Sequence, residues 1–187
     1  MPHFLACIRP DHPTPSLLFG QIITELHRSR HDREFAVDFP DYDLKRRAGQ
    51  LGLTLAVHTN EGADSEYFRQ IVESKFGDAV DCLTGAMAPG EYRIVKGLRP
   101  LKNRAYAKEL TLAHLRAKGV KHIDESLVKK REFYDLPYVL ISSKGNGKVY
   151  PRFVQVETVR TPVEVADGKG FSTLGFSMGA ALPLVRK

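Results

Sequence analysis

Phe4, Ala6 and Ile8 alternate with Leu5 and Cys7, an apolar run at the two-residue period of a strand buried on one or both faces. Thr14 followed by Pro15 has the composition of an N-cap and first helical residue. Leu18, Phe19, Ile22, Ile23 and Leu26 then recur at helical spacing, one stripe of an amphipathic helix. Phe35, Val37 and Phe39 alternate up to Pro40, and Leu51, Leu53, Leu55 and Val57 alternate again. Tyr67, Phe68, Ile71, Val72 and Phe76 form a second helical stripe, followed by a short apolar stretch from Val80 to Leu83. Strand, helix, strand, strand, helix, strand is the ferredoxin-like order, a common RNA-binding scaffold that does not by itself fix a function.

Gly85 to Gly90 is rich in small residues and proline, which places a boundary near residue 90 and divides the chain into 1–90 and 91–187. Beyond it Tyr92 to Leu98 reads as extended. Asn103 can cap a helix running to about Lys118, where Gly119 ends it, and a second helical piece covers roughly Asp124 to Phe133. Pro137 to Ser142 and Val149 to Val156 read as strands joined by Lys144-Gly145-Asn146-Gly147, a hairpin-turn composition. Val163, Val165 and then Phe171 to Ser177 supply the last strands. The fold class expected is α+β, a ferredoxin-like (RRM-like) N-terminal half and a C-terminal α+β half with a basic helix.

Composition sharpens this picture mainly through charge. The chain has 187 residues, 42% hydrophobic and 27% charged, ordinary for a globular protein. No apolar run approaches the roughly 20 residues of a membrane span, and the N-terminus lacks the charged start and apolar core of a secretory signal. Cys7 and Cys82 each sit in a strand-like apolar segment, so reduced thiols in a cytoplasmic setting are the reading, rather than a disulfide. The net charge is +6, but from Arg93 to Arg131 there are 12 Lys/Arg against 3 Asp/Glu, a net of +9, and the rest carries −3. A basic block on a slightly acidic body is the footprint of a phosphate-backbone binder, although a run of charges is also the composition of a solvated face.

Candidate chemistry is sparse when residues are taken alone. His27 and His31 stand four apart, a spacing that can hold zinc, but His-Arg-Ser-Arg-His lacks the glutamate of the metalloprotease motif and has no third ligand nearby. Metal is therefore not expected, and no other cofactor is. By periodicity His27 borders the Ile23 stripe, between buried and wet faces, where histidines are ordinarily structural or solvated. Ser142 and Ser143 end a strand entering a turn, where serines normally satisfy backbone groups, and no Gly-x-Ser-x-Gly elbow is present.

Several segments, in order and spacing, resemble the type I-F CRISPR repeat-RNA endoribonuclease family over nearly the whole chain. They are His3-Phe4-Leu5 to Arg9-Pro10-Asp11, Glu25-Leu26-His27, Phe39-Pro40-Asp41, Tyr92-Arg93, Asp135-Leu136-Pro137-Tyr138-Val139, and the tail Gly170-Phe171-Ser172 to Gly175-Phe176-Ser177-Met178-Gly179. The resemblance implies a histidine near the end of the first helix working with a serine that follows the Leu-Pro-aromatic-Val strand. Matched on Leu26-His27 the histidine is His27; a rival match on Leu18-Phe19-Gly20 puts Ile23 there. Counting from Leu136-Pro137 gives Ser143, with Ser142 beside it. The implied reaction is attack of a ribose 2′-OH on the adjacent phosphate, giving a 2′,3′-cyclic phosphate and a 5′-OH without metal. A histidine suits the proton transfer because its unperturbed pKa of about 6.5 lies near the operating pH. Where the family has a tyrosine in the last Gly-rich strand, this chain has Leu174.

The same resemblance implies that the basic helix enters the groove of a repeat hairpin, near its end because an A-form major groove is otherwise too narrow. Arg104, Lys108 and Lys118 share one helical face, flanked by His114 and Arg116, with Lys102 just before the helix. The family's base-reading arginine and glutamine correspond to Gly97 and Arg99. Arg99 has the chemistry either to read a guanine edge or to hold a phosphate. The partners implied are the repeat hairpin and the other subunits of a type I-F surveillance complex, with no membrane.

Overall fold

The computed structural model describes residues 1–42, 51–99, 136–143, 147–162 and 170–186. The elements run β1 (His3–Ile8), α1 (Pro15–Ser29), β2 (Phe35–Asp38), β3 (Thr54–Thr59), α2 (Gly62–Phe76), β4 (Val80–Leu83), β5 (Ala86–Leu98), β6 (Tyr138–Ser142), β7 (Val149–Val159) and β8 (Leu182–Arg186). The helices expected at 103–118 and 124–133, the tip of the 144–146 turn, and Val163 and Val165 lie outside the described residues.

The first six elements form an antiparallel sheet of order β2-β3-β1-β4, the ferredoxin-like arrangement that the alternation of apolar stripes and runs anticipates. Register follows the pleat: Leu5 pairs with Ala56 and Phe4 with Val57. Phe4, Ala6, Ile8, Val37, Leu55 and Val57 point to the helix side, where they pack against Leu18, Phe19, Ile22, Ile23 and Leu26 of α1 and Phe68 and Val72 of α2. Burying each such side chain contributes roughly 1.5–3 kcal/mol, far more than the intrinsic propensity of a 15-residue helix. Thr14 stands at the cap and Pro15 opens the helix, as the sequence suggests, although the Thr14 hydroxyl makes no capping bond. His31, at φ 47, takes the left-handed conformation just beyond the helix and turns the chain away.

The remaining strands form a second antiparallel sheet, β6-β7-β5-β8. It shares the first sheet's core: Val95, Val139, Ile141, Val154, Val156 and Phe176 belong to the same apolar cluster as the α1 stripe. The sheet also reaches the other face of the first, where Val185 of β8 covers Leu5, Cys7 and Ala56. Cys7 and Cys82 form no disulfide, and burial pushes the Cys82 thiol up to about 12, so it stays protonated.

Three expectations need correction. Gly85 to Gly90, where the composition places a boundary, lies mostly within a strand: β5 begins at Ala86, pairs with Arg186 and Val185 of β8, and is interrupted by a bulge between Met87 and Tyr92 that contains Gly90 at φ 70. The step between sheets falls instead at residues 84–85. Phe171 to Ser177 is not a regular strand but a tight loop closed by a single bridge, Phe171 to Ser177. The Ser172 amide donates to the Phe176 carbonyl and the Gly175 amide to the Ser172 carbonyl. The last strand is β8, where Pro183 is tolerated because the strand lies at the sheet edge.

Candidate active site

α1 is buried on two sides. Beyond its apolar stripe it carries a second line, Gly20, Thr24 and His27, within about 60° on the helical wheel. Glycine is required at the first of these: a Cβ on Gly20 would stand 1.9 Å from the Leu140 carbonyl oxygen, so the backbone of β6 fills that space. One turn on, the Thr24 hydroxyl donates to the Gly20 carbonyl at 2.7 Å and accepts the Ser142 amide at 3.3 Å. The strand thus lies along the helix, Leu140 against Gly20 and Ser142 against Thr24.

His27, at the end of this line, is partly exposed. Its Nδ1 lies 2.8 Å from the Thr173 carbonyl oxygen. A carbonyl only accepts, so the Nδ1 carries the proton and the neutral ring presents its lone pair at Nε2. The Thr173 carbonyl is held by the tight loop, which is seated in turn on β2: the Val37 amide donates to the Gly175 carbonyl at 3.0 Å. Gly175 sits at φ 78, and a Cβ there would meet the Phe35 ring at 2.8 Å. Only glycine permits this seat.

Ser142 lines a cleft of about 720 Å³ with Gln21, Thr24, Glu25, Arg28 and Lys75. The Glu25 carboxylate sits 2.5 Å from the Lys75 ammonium, and its pKa is lowered mainly by that hydrogen bond. A second cavity, of about 440 Å³, is lined by Arg30, Glu34, Phe35, Phe171 and Thr173. Ser143 continues the hairpin, its amide donating to Lys148 and its carbonyl accepting from Gly147. No hydrogen bond among the described residues joins His27 to either serine. Ile23, the rival position, is wholly buried in the core and open to no substrate. Leu174 is partly buried and packs against the same core.

Of the RNA-binding candidates, the described residues include Gly97 and Arg99. Gly97 lies in β5 opposite Val154, and a Cβ there would meet the Phe176 ring at 2.6 Å, so its place is filled by that aromatic. Arg99 follows β5 and is exposed. Lys102, Arg104, Lys108, Arg116 and Lys118 lie outside the described residues. Sequence reading missed Thr24 and Thr173. A Gly-x-x-x-Thr line off the apolar stripe is a signal for the first, and a backbone carbonyl leaves none for the second.

The family model described as CRISPR-associated protein (Cas_Csy4) matches residues 7–185. No curated protein matches the chain at a significant level.

Proposed function

The chain belongs to the Cas_Csy4 family of CRISPR-associated proteins, and we propose that it cuts precursor CRISPR RNA once per repeat, 3′ of the hairpin, without metal. The family supports a repeat-processing nuclease; the residue roles are those that the resemblance implies. His27 Nε2 takes the proton from the ribose 2′-OH upstream of the cut. The 2′-oxygen attacks the adjacent phosphorus, the bond to the 5′-oxygen breaks, and that oxygen takes a proton from solvent, leaving a 2′,3′-cyclic phosphate and a 5′-OH. Ser143, with Ser142 beside it, holds the 2′-OH in line. RNA supplies its own nucleophile, so no activated water enters the step. The hairpin is held by Arg99, Lys102, Arg104, Lys108, Arg116 and Lys118, and the product stays bound within a type I-F surveillance complex in the cytoplasm. No helix among the described residues is long and apolar enough to cross a membrane.

The observation that carries this reading is the seating of β6 along α1. Two strand residues advance about 6.6 Å while four helical residues advance about 6 Å. One further strand residue after Ser142 therefore brings Ser143 to the level of helix residues 26–27. Ser143 also shares a pleat face with Ile141 and Val139, which point to the core that α1 helps form. A second reading, a hairpin-binding subunit of low catalytic power, is favoured by Leu174, an apolar side chain where the family has a phenol. Cutting assays separate the two. The nuclease cuts in chelator, fails when the upstream ribose is 2′-deoxy, and loses about 10²–10⁴ in rate on His27→Ala, the usual scale of general base catalysis. Chelator-sensitive cutting refutes the mechanism, and equal inactivity of wild type and variant leaves the binding subunit.

A further inference from the structure

Two arginines are buried on the same face of the second sheet, and they have opposite surroundings. Arg93 in β5 is 9% exposed, donates to the Phe39 carbonyl at 2.6 Å and has the Asp38 carboxylate at 3.7 Å. Arg152 in β7 is 7% exposed and pairs with no carboxylate among the described residues; its Nε, like that of Arg93, is buried without a hydrogen-bond partner. Its side-chain hydrogen-bond partner is Tyr150, whose ring centre lies 5.8 Å from the guanidinium; that hydrogen bond favours the cation, but a phenol supplies no counter-charge. Register makes matters worse. Leu98 pairs with Phe153, so the next residue of the β5 segment, Arg99, comes opposite Arg152. Burial lowers the Arg152 pKa, and the like charge of Arg99 lowers it further. A guanidinium stays charged even so, because its unperturbed pKa lies far above neutral.

A desolvated cation facing a second cation costs stability in the free protein, and an apolar side chain of similar volume would ordinarily do better there. An anion placed between the two guanidinia reverses the sign of both terms. Arginine's planar fork matches phosphate oxygens in two-point contacts. Arg152 shares its sheet face with Ile141 and Val139 and lies roughly 13 Å from Ser143, four strand residues along. Arg99 belongs to the basic block that begins at Arg93. We infer that Arg152 and Arg99 form a phosphate seat that takes one backbone phosphate of the bound RNA between the basic block and the cut. The identity of the anion as RNA rests on the function proposed above; the seat itself rests on a buried guanidinium that has no carboxylate partner among the described residues.

Arg152→Met tests this in two measurements on the full chain. In the free protein, denaturant unfolding should find the variant at least as stable as wild type, because a buried charge with no carboxylate partner among the described residues has gone. With the repeat hairpin RNA of the encoding genome, affinity should fall about tenfold and the slope of log K against log salt should shrink by about one, the mark of one lost phosphate contact. Unchanged affinity and slope overturn the seat. A loss confined to one base pair overturns it in favour of guanine reading. Arg152→Gln, which keeps hydrogen-bonding capacity, serves where the methionine variant does not fold. Should wild type bind no hairpin, the function fails rather than the seat, and inorganic phosphate decides: thermal stabilisation by phosphate in wild type but not in Arg152→Met keeps the seat, and equal shifts remove it.

Discussion

At the scale of single residues, the positions that matter most are those where a polar group is buried and its accounts must balance. Asp38 is fully buried at the end of β2, accepts the Phe39 amide at 2.7 Å and faces Arg93, and its second oxygen has no partner. Burial outweighs the arginine, and its pKa is raised from 3.8 to about 6. A raised carboxyl favours the fold while protonated, so this contribution is present at low pH and lost as pH climbs through about 6. His58, buried on the same face of the sheet with both ring nitrogens unpartnered, has its pKa lowered to about 3 and acts oppositely, since the unfolded ring gains a proton first as pH falls. The raw pH profile of wild type therefore mixes the two, and the difference from Asp38→Asn isolates the carboxyl. Between pH 4 and pH 7.5 wild type should lose on the order of 2–3 kcal/mol relative to the variant. The asparagine also strips Arg93 of its counter-charge, but that offset does not vary with pH in this range. Parallel profiles in denaturant titrations would place the Asp38 pKa near its ordinary value. None of this was legible beforehand: Phe39-Pro40-Asp41 and Tyr92-Arg93 were recognisable as segments, whereas the pairing of Asp38 with Arg93 spans two sheets. His27 was legible as a border residue, but the carbonyl that fixes its tautomer was not.

At the scale of elements, periodicity found what packs on one side and missed what packs on two. The Leu18 to Leu26 stripe predicts α1 and its sheet-facing side, yet Gly20 and Thr24 are equally buried, under β6. A line of small residues reads as neutral in sequence because its partner is backbone, not side chain. The tail was misread for a related reason. Alternation from Phe171 to Ser177 suggests a strand, but Gly175 at φ 78 folds it into the loop that holds Thr173. The real strand, Leu182 to Arg186, contains a proline that argues against it everywhere except at an edge. The strongest test of the α1–β6 seat is Gly20→Ala. The methyl would overlap backbone atoms of Leu140 on all sides, and neither element can rotate away without opening the core. Overpacking of this kind costs about 1–3 kcal/mol or more. The variant should also cut RNA more slowly than its residual folded fraction allows, since β6 carries Ser142 and leads directly into Ser143. Full stability would show that strand and helix move apart freely, and normal cutting would separate the seat from catalysis.

At the scale of the whole molecule, the second sheet wraps the first rather than sitting beside it. β6 lies on α1 on the helix side, the Gly175 loop caps the β2 edge, and β8 covers Leu5, Cys7 and Ala56 on the other face. A ferredoxin-like unit was legible in residues 1–83, and the change of composition after it was legible too. The enclosure was not, because it depends on contacts between positions more than 100 residues apart, such as Thr24 with Ser142 and His27 with Thr173. The consequence is that the first six elements, though complete as a topology, lack closure as a protein. A fragment of residues 1–84 would expose the second face of α1, the Val37 amide at a bare edge and the apolar surface under Val185, and it would leave Asp38 without its arginine. Those losses fall on a unit of a size that is only marginally stable when whole. The fragment should keep helical far-ultraviolet signal, bind a hydrophobic dye and unfold without a sharp transition, the behaviour of a collapsed but unpacked chain. The full chain should unfold in one step with coincident helix and aromatic signals. A cooperative transition in the fragment, at the midpoint of the full chain, would mean that the wrapping contributes nothing to the first sheet. The two sheets would then meet as finished domains, and substitutions at their interface would slow cutting without lowering stability.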